Sequence, residues 1–211
     1  MKPKILLHAC CAVCTAGVWD RLKNDYDITL FWYNPNIFPK DEHDRRLTEL
    51  LNFCDRHNIK ILYGDYDWEE EHNFWLKKIK GYENQPERGL PAMPGKARQA
   101  GKRCEICYKI RLEATATMAK MINNHHKNSF NFFGVELSIS PHKNAEKINK
   151  IGEQVGEKID DSHSRAGGNL LKFYSADFKK NDGFKKASEF SRKNNLYRQN
   201  YCGCEFSRKK H

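Results

Sequence analysis

Lys4-Ile5-Leu6-Leu7-His8-Ala9-Cys10-Cys11-Ala12-Val13-Cys14 is the stretch that decides the fold. Its first part, Lys4–His8, is a short apolar run and reads as a buried strand. The cysteines follow that strand directly. A helix starting near Cys14 puts the thiols between a strand end and a helix N-terminus, where backbone N–H groups and the helix dipole favour thiolates.

Moving outward, the same alternation repeats. Ile28–Tyr33, Ile59–Tyr63, Phe130–Val135 and Leu171–Tyr174 read as four further strands. Between them lie segments with helical period. Leu47, Leu50, Leu51 and Cys54 fall at i, i+3, i+4 and i+7, and Leu112, Ala116, Ala119 and Ile122 form a second apolar stripe. Strands separated by helices predict an α/β fold, a mainly parallel sheet flanked by helices. In such sheets ligands sit beyond the carboxyl ends of the strands. Two stretches break the rhythm. Gly81–Gly101, with Pro86, Pro91 and Pro94, reads as a long loop, and the polar, Gly-rich Asp160–Asn169 reads as a surface insertion.

With 211 residues the chain is expected to form one domain over 1–211, large enough to bury a core without staples. Its 39% hydrophobic and 12% aromatic content argues against global disorder. A net charge of +10 favours a polyanionic partner such as nucleic acid. No run of about 18 apolar residues is present, so no membrane span is expected, and the apolar stretch near Met1 is far too short for a signal peptide. The expected compartment is the cytoplasm, where thiols stay reduced. Eight cysteines there point to metal binding or redox chemistry.

The cysteines fall into three motifs and one singleton. Cys10, Cys11 and Cys14 form the first motif. Cys104-Glu105-Ile106-Cys107 opens the Leu112 helix, where a Cys-x-x-Cys can aim both sulfurs at one centre. Cys10, Cys11, Cys104 and Cys107 would supply four thiolates, suited to either zinc or a 4Fe–4S cluster, and spacing does not choose between them. Cys202-Gly203-Cys204 is of another kind. A disulfide across one residue closes a small strained ring that is easily reduced, and Gly203 permits the turn, so a redox-active pair is expected, the alternatives being two further metal ligands or inert thiols in a frayed tail. Cys54, alone on an apolar stripe, is expected to be core.

Taken together these residues resemble the QueH family of epoxyqueuosine reductases along nearly the whole chain. The resemblance rests on His8-Ala9-Cys10-Cys11-Ala12-Val13-Cys14, Trp32-Tyr33-Asn34-Pro35-Asn36-Ile37, Arg103-Cys104-Glu105-Ile106-Cys107-Tyr108 with Arg111-Leu112-Glu113, Ser138-Ile139-Ser140-Pro141-His142-Lys143-Asn144, and Tyr197-Arg198-Gln199-Asn200-Tyr201-Cys202-Gly203-Cys204-Glu205-Phe206-Ser207. It implies a Rossmann-like layered fold and the last step of queuosine synthesis, removal of an epoxide oxygen at the wobble base of the tRNAs for Tyr, His, Asp and Asn, with electrons from an external donor. It further implies a 4Fe–4S cluster on Cys10, Cys11, Cys104 and Cys107, an additional iron for which Cys14 is the spare thiol, and a redox-active disulfide between Cys202 and Cys204. Three places depart from the family pattern: Val13 stands where proline is usual, Gly134-Val135-Glu136 replaces a Thr-rich strand end, and Leu90–Ala100 is inserted.

The aromatic, guanidinium and amide groups of Tyr197–Tyr201, Arg198 and Tyr201 above all, suit an unstacked anticodon base; the alternative is a packed segment with locally bonded tyrosines. His8 is a candidate general acid or a backbone hydrogen-bond partner. Lys143-Asn144 either contacts phosphate or caps a helix. The rival functions are a zinc-stabilised tRNA-binding module and a thiol–disulfide oxidoreductase using Cys202 and Cys204 alone. A tRNA-thiolating enzyme would need a Gly/Ser-rich phosphate loop where Cys10-Cys11 stands.

Overall fold

The computed structural model describes residues 1–64, 66–83, 101–126, 129–161 and 170–208. Five strands, β1 (Lys4–Ala9), β2 (Asp27–Trp32), β3 (Lys60–Tyr63), β4 (Phe132–Val135) and β5 (Lys172–Phe173), form one sheet in the order β3-β2-β1-β4-β5. Every pairing is parallel. Among the described residues six α-helices complete it: α1 (Ala12–Leu22), α2 (Lys40–His57), α3 (Trp68–Ile79), α4 (Lys102–His125), α5 (Ala145–Asp161) and α6 (Gly183–Lys193). The α/β expectation therefore holds, and each of the five expected strands is present within two residues at either end. The Leu90–Ala100 insertion and most of Asp160–Asn169 lie outside the described residues.

The strand at the centre explains why the sheet needs cover on both faces. In β1, Ile5, Leu7 and Ala9 enter a core shared with α1, α2 and α6, while Leu6 enters the opposite core with Leu112, Ala116 and Ala119 of α4 and Ile148 and Val155 of α5. Alternation along a pleated strand sends neighbours to opposite faces, so a continuous apolar run fits a doubly covered strand. Close helix packing demands small residues at two points. A Cβ on Gly17 of α1 would lie 2.6 Å from Ile139 Cδ1 and 2.7 Å from Ala187 Cβ, and one on Gly152 of α5 would lie 2.3 Å from the Phe173 ring.

The helix termini follow local chemistry. Asp67 caps α3, its Oδ1 accepting from the N–H of Glu69 at 2.8 Å and of Glu70 at 3.1 Å. Asn58 ends α2 in the left-handed region, φ 53°. Asn144 Oδ1 accepts from Lys147 N at 3.0 Å and so caps α5. No helix among the described residues is long and apolar enough to cross a membrane.

The strand order reverses at β1. Its neighbours β2 and β4 are reached by connections running to opposite sides, and in open α/β sheets ligands bind at such a switch point, beyond the strand carboxyl ends. The residues that emerge there are Cys10 and Cys11 from β1, Tyr33–Asn36 from β2 and Glu136–Ser140 from β4.

Candidate metal and redox site

β1 runs into α1 with Cys10 and Cys11 as the only joint. The helix begins at Ala12, two residues earlier than the expected start near Cys14, because Cys11 itself serves as the N-cap: its Sγ accepts from Cys14 N at 3.4 Å. A second donor reaches the same sulfur from the far end of the chain, Gln199 Nε2 at 3.0 Å. The thiol sulfurs of Cys10, Cys11 and Cys14 all lie within 4.8 Å of one another. Hydrogen bonds from the Cys10 and Cys14 thiols hold Cys11 well below the usual thiol range. Donating pushes the other two up, Cys10 chiefly through its bond to Cys11 and Cys14 chiefly through its bond to Cys10. The helix N-terminus adds to this preference for a single thiolate at Cys11.

The second motif sits in the first two turns of α4. Cys104 and Cys107 are both buried, 5% and 6% exposed. Cys104 joins the core cluster against which Cys10 packs, and Cys107 joins a small cluster with Cys204 and Cys202. One turn on, Arg111 folds back on Cys107, with Nε donating to its carbonyl oxygen at 3.3 Å and Nη2 to its sulfur at 3.1 Å. The Arg111 cation also faces Cys10 and Cys202. The tight group within 4.8 Å contains Cys10, Cys11 and Cys14 but neither Cys104 nor Cys107, which approach the pocket from the α4 side.

The third motif closes the pocket. Arg46 of α2, 1% exposed, donates from Nη2 to Tyr201 O at 3.2 Å and from Nη1 to Cys202 O at 3.4 Å. Glu42 holds that guanidinium, accepting from Arg46 Nε at 2.7 Å and from the Tyr197 hydroxyl at 2.8 Å. Phe38 N donates to Gly203 O at 2.9 Å, and the Tyr201 hydroxyl to Phe38 O at 2.5 Å. Gly203 has φ +112°, where a side chain is strained, and a Cβ there would lie 2.9 Å from Ile37 Cγ1. Both thiols of the pair are free and lie side by side. The Cys204 thiol donates to Cys202, which lowers Cys202, with Lys143 and Arg111 adding their positive charge, and raises Cys204. Cys54, by contrast, is a buried core residue, 3% exposed, its thiol pushed up to about 12 by desolvation and then by Glu136.

Other expectations resolve differently. His8 is fully buried with Nε2 bonded to Tyr33 O at 2.9 Å, and burial lowers it to about 3, so at neutral pH it is an uncharged ring and a backbone partner, not a stored proton. Tyr197 and Tyr201 spend their hydroxyls locally, while Arg198 is exposed. Lys143 is buried at 8%, its ammonium 5.4 Å from the Tyr108 ring centre. Arg46 and Glu42 did not stand out in the sequence, though a buried arginine four residues before Leu50 continues the α2 stripe toward the site. Glu136, at the strand end that departs from the family pattern, is a buried carboxyl pushed well up by desolvation, bonded through Oε2 to Thr15 Oγ1 at 2.9 Å.

The pocket fits a sulfur-bound metal group. Its donors are soft thiols, matched to iron–sulfur centres or zinc more than to hard cations. Around them Asn36 Nδ2 and Oδ1, Asn34 Oδ1 and Gln199 Oε1 are buried without a hydrogen-bond partner among the described residues. Native proteins seldom leave such atoms unsatisfied unless something else binds there.

The family model described as "Epoxyqueuosine reductase QueH" matches residues 5–210. The chain is similar to the epoxyqueuosine reductase QueH of Acinetobacter baylyi, 34% identical over 205 residues, which cover 97% of this chain and 80% of that protein. It is 33% identical over 215 residues to that of Streptococcus pyogenes serotype M1, covering 99% and 72%. Against that of Thermotoga maritima it is 30% identical over 203 residues, covering 96% and 89%.

Proposed function

The chain belongs to the epoxyqueuosine reductase QueH family, and from that premise we propose that its thiol-lined crevice is where the epoxide of a tRNA-borne queuosine precursor is reduced. The chain is an epoxyqueuosine reductase, an oxidoreductase of queuosine biosynthesis. The reaction takes two electrons and two protons; both carbon–oxygen bonds of the epoxide break, an alkene forms and the oxygen leaves as water. The observation that carries the reading is the tight group of Cys10, Cys11 and Cys14 at the end of β1, with one cation, Arg111, facing sulfurs of Cys10, Cys107 and Cys202.

In this reading Cys10, Cys11, Cys104 and Cys107 hold a 4Fe–4S cluster, and Cys14 is the ligand available to an additional iron. Bound there, such a cluster supplies electrons one at a time at low potential. Three thiols within 4.8 Å suit one metal atom, so a four-iron group requires the α4 cysteines as well. Cys202 and Cys204 act as a redox pair: two thiols give up two electrons and two protons on forming a disulfide, and an external donor restores them. The lowered Cys202 is the nucleophilic partner. Arg198, exposed beside the closing turn, contacts tRNA; Tyr201 supports the turn through Phe38. The substrates are the tRNAs for Tyr, His, Asp and Asn, and the cytoplasm, where thiols stay reduced, is the place of action.

The test is anaerobic reconstitution of the full chain with iron and sulfide, followed by metal analysis, spin-resonance spectra and turnover of epoxyqueuosine tRNA. Wild type is expected to take up a cluster and Cys104→Ala to lose it together with activity. Bound zinc in place of iron sinks the cluster assignment, and undiminished activity in Cys104→Ala favours the cysteine pair acting alone.

A further inference from the structure

Arg111 is 3% exposed, and both hydrogen bonds of its guanidinium among the described residues go to Cys107, one to the carbonyl and one to the sulfur. No carboxylate of those residues pairs with it. A buried cation without an anionic partner is costly, and several kcal/mol of desolvation must be offset locally. The groups that face this guanidinium are sulfurs: Cys107 at 3.1 Å, then Cys10 and Cys202 at longer range. The imidazole of His8 lies within the same field and stays uncharged beside it. One fixed charge thus stands among thiols of all three cysteine motifs.

We propose that Arg111 is a positioning residue that locks the Cys107 sulfur toward the crevice and sets the reduction potential of the metal group held there. The inference rests on the proposed metal site and deepens it. Reduction adds a negative charge to whatever the thiolates hold. A permanent cation 3.1 Å from one of them stabilises that added charge, and an N–H donated to a ligand sulfur works in the same direction. Arginine suits the task because it keeps its charge at every physiological pH and because its planar fork binds the carbonyl and the sulfur of one residue together. The fork also holds the Cys-x-x-Cys turn of α4 in register with the Cys10 side of the pocket.

The experiment compares wild type, Arg111→Met and Arg111→Lys as full-length proteins reconstituted anaerobically, with secondary structure checked by circular dichroism. Iron per chain and the midpoint potential are read by spin-resonance titration. In Arg111→Met, reduction is expected to become at least tenfold less favourable, about 59 mV more negative for a one-electron couple. Arg111→Lys keeps the charge and is expected to recover most of that loss. Equal potentials in wild type and Arg111→Met overturn the proposal. If Arg111→Met takes up no iron, a loaded Arg111→Lys supports the role of charge, whereas an equally empty Arg111→Lys assigns Arg111 to packing and overturns it. A wild-type chain that takes up no iron sinks the metal site itself and this inference with it, so the two failures are read on different proteins.

Discussion

Trp32 Nε1 donates to His43 Nε2 at 3.0 Å, and an imidazole nitrogen that accepts a hydrogen bond cannot also carry a proton. His43 is buried, 5% exposed, and desolvation lowers its pKa from the ordinary value. Asp44, 3.0 Å from Nδ1, offsets part of this, and the unfolded chain still binds the proton more readily than the folded one. Stability is full above the unfolded value of about 6.5 and is lost as pH falls through it toward the lower folded value. Thermal melts from pH 7.5 to pH 5 are expected to show a falling midpoint, and His43→Gln, which cannot titrate, a smaller fall over the same range. An unchanged slope in the variant would remove His43 from the account.

At the level of elements, α5 lies so close to β5 that Gly152 has no room for a methyl group: the added carbon would stand 2.3 Å from the Phe173 ring. Gly152→Ala is expected to cost roughly 1–3 kcal/mol in denaturant unfolding, the usual range for overpacking, while leaving the thiols in place. This contact was not legible in the sequence, since it joins two elements separated by the insertion. The strands were legible, because a sheet covered on both faces needs apolar runs such as Ile5-Leu6-Leu7. The α2 stripe was legible in part. Leu50 and Cys54 are core as expected, but Phe53 is fully buried while Leu51 is half-buried, and toward the site the stripe is carried by His43 and Arg46. Polar residues on a buried face are invisible to a hydrophobic count until their partners are known, and the partners of Arg46 lie near residue 200. The start of α1 at Ala12 carries no sequence signal for a similar reason: a cysteine sulfur does the capping that serine or aspartate usually advertises.

At the scale of the whole molecule, the charge of +10 and the reductase family act together. A substrate with a phosphate backbone is held largely by counterion release, so tRNA affinity should fall steeply with salt. Raising potassium chloride from 50 to 200 mM is expected to weaken binding by about tenfold or more, measured by filter retention or fluorescence anisotropy. A flat salt dependence would mean that the basic excess plays no part in docking. The cysteine motifs themselves could be read from the sequence. That distant thiols would be brought together was also expected from the motifs; the partners that hold them, Arg46, Arg111 and Gln199, were not, because each acts across the fold or on a buried face. The contact between Cys11 and Gln199 spans 188 positions, and it has a consequence for how the protein matures. At about 5–20 residues per second, roughly 10–40 s separate the synthesis of the one from the synthesis of the other. Through that interval Cys11 exists without the amide that donates to its sulfur. The Cys11–Gln199 contact therefore forms only after nearly the whole chain has been made.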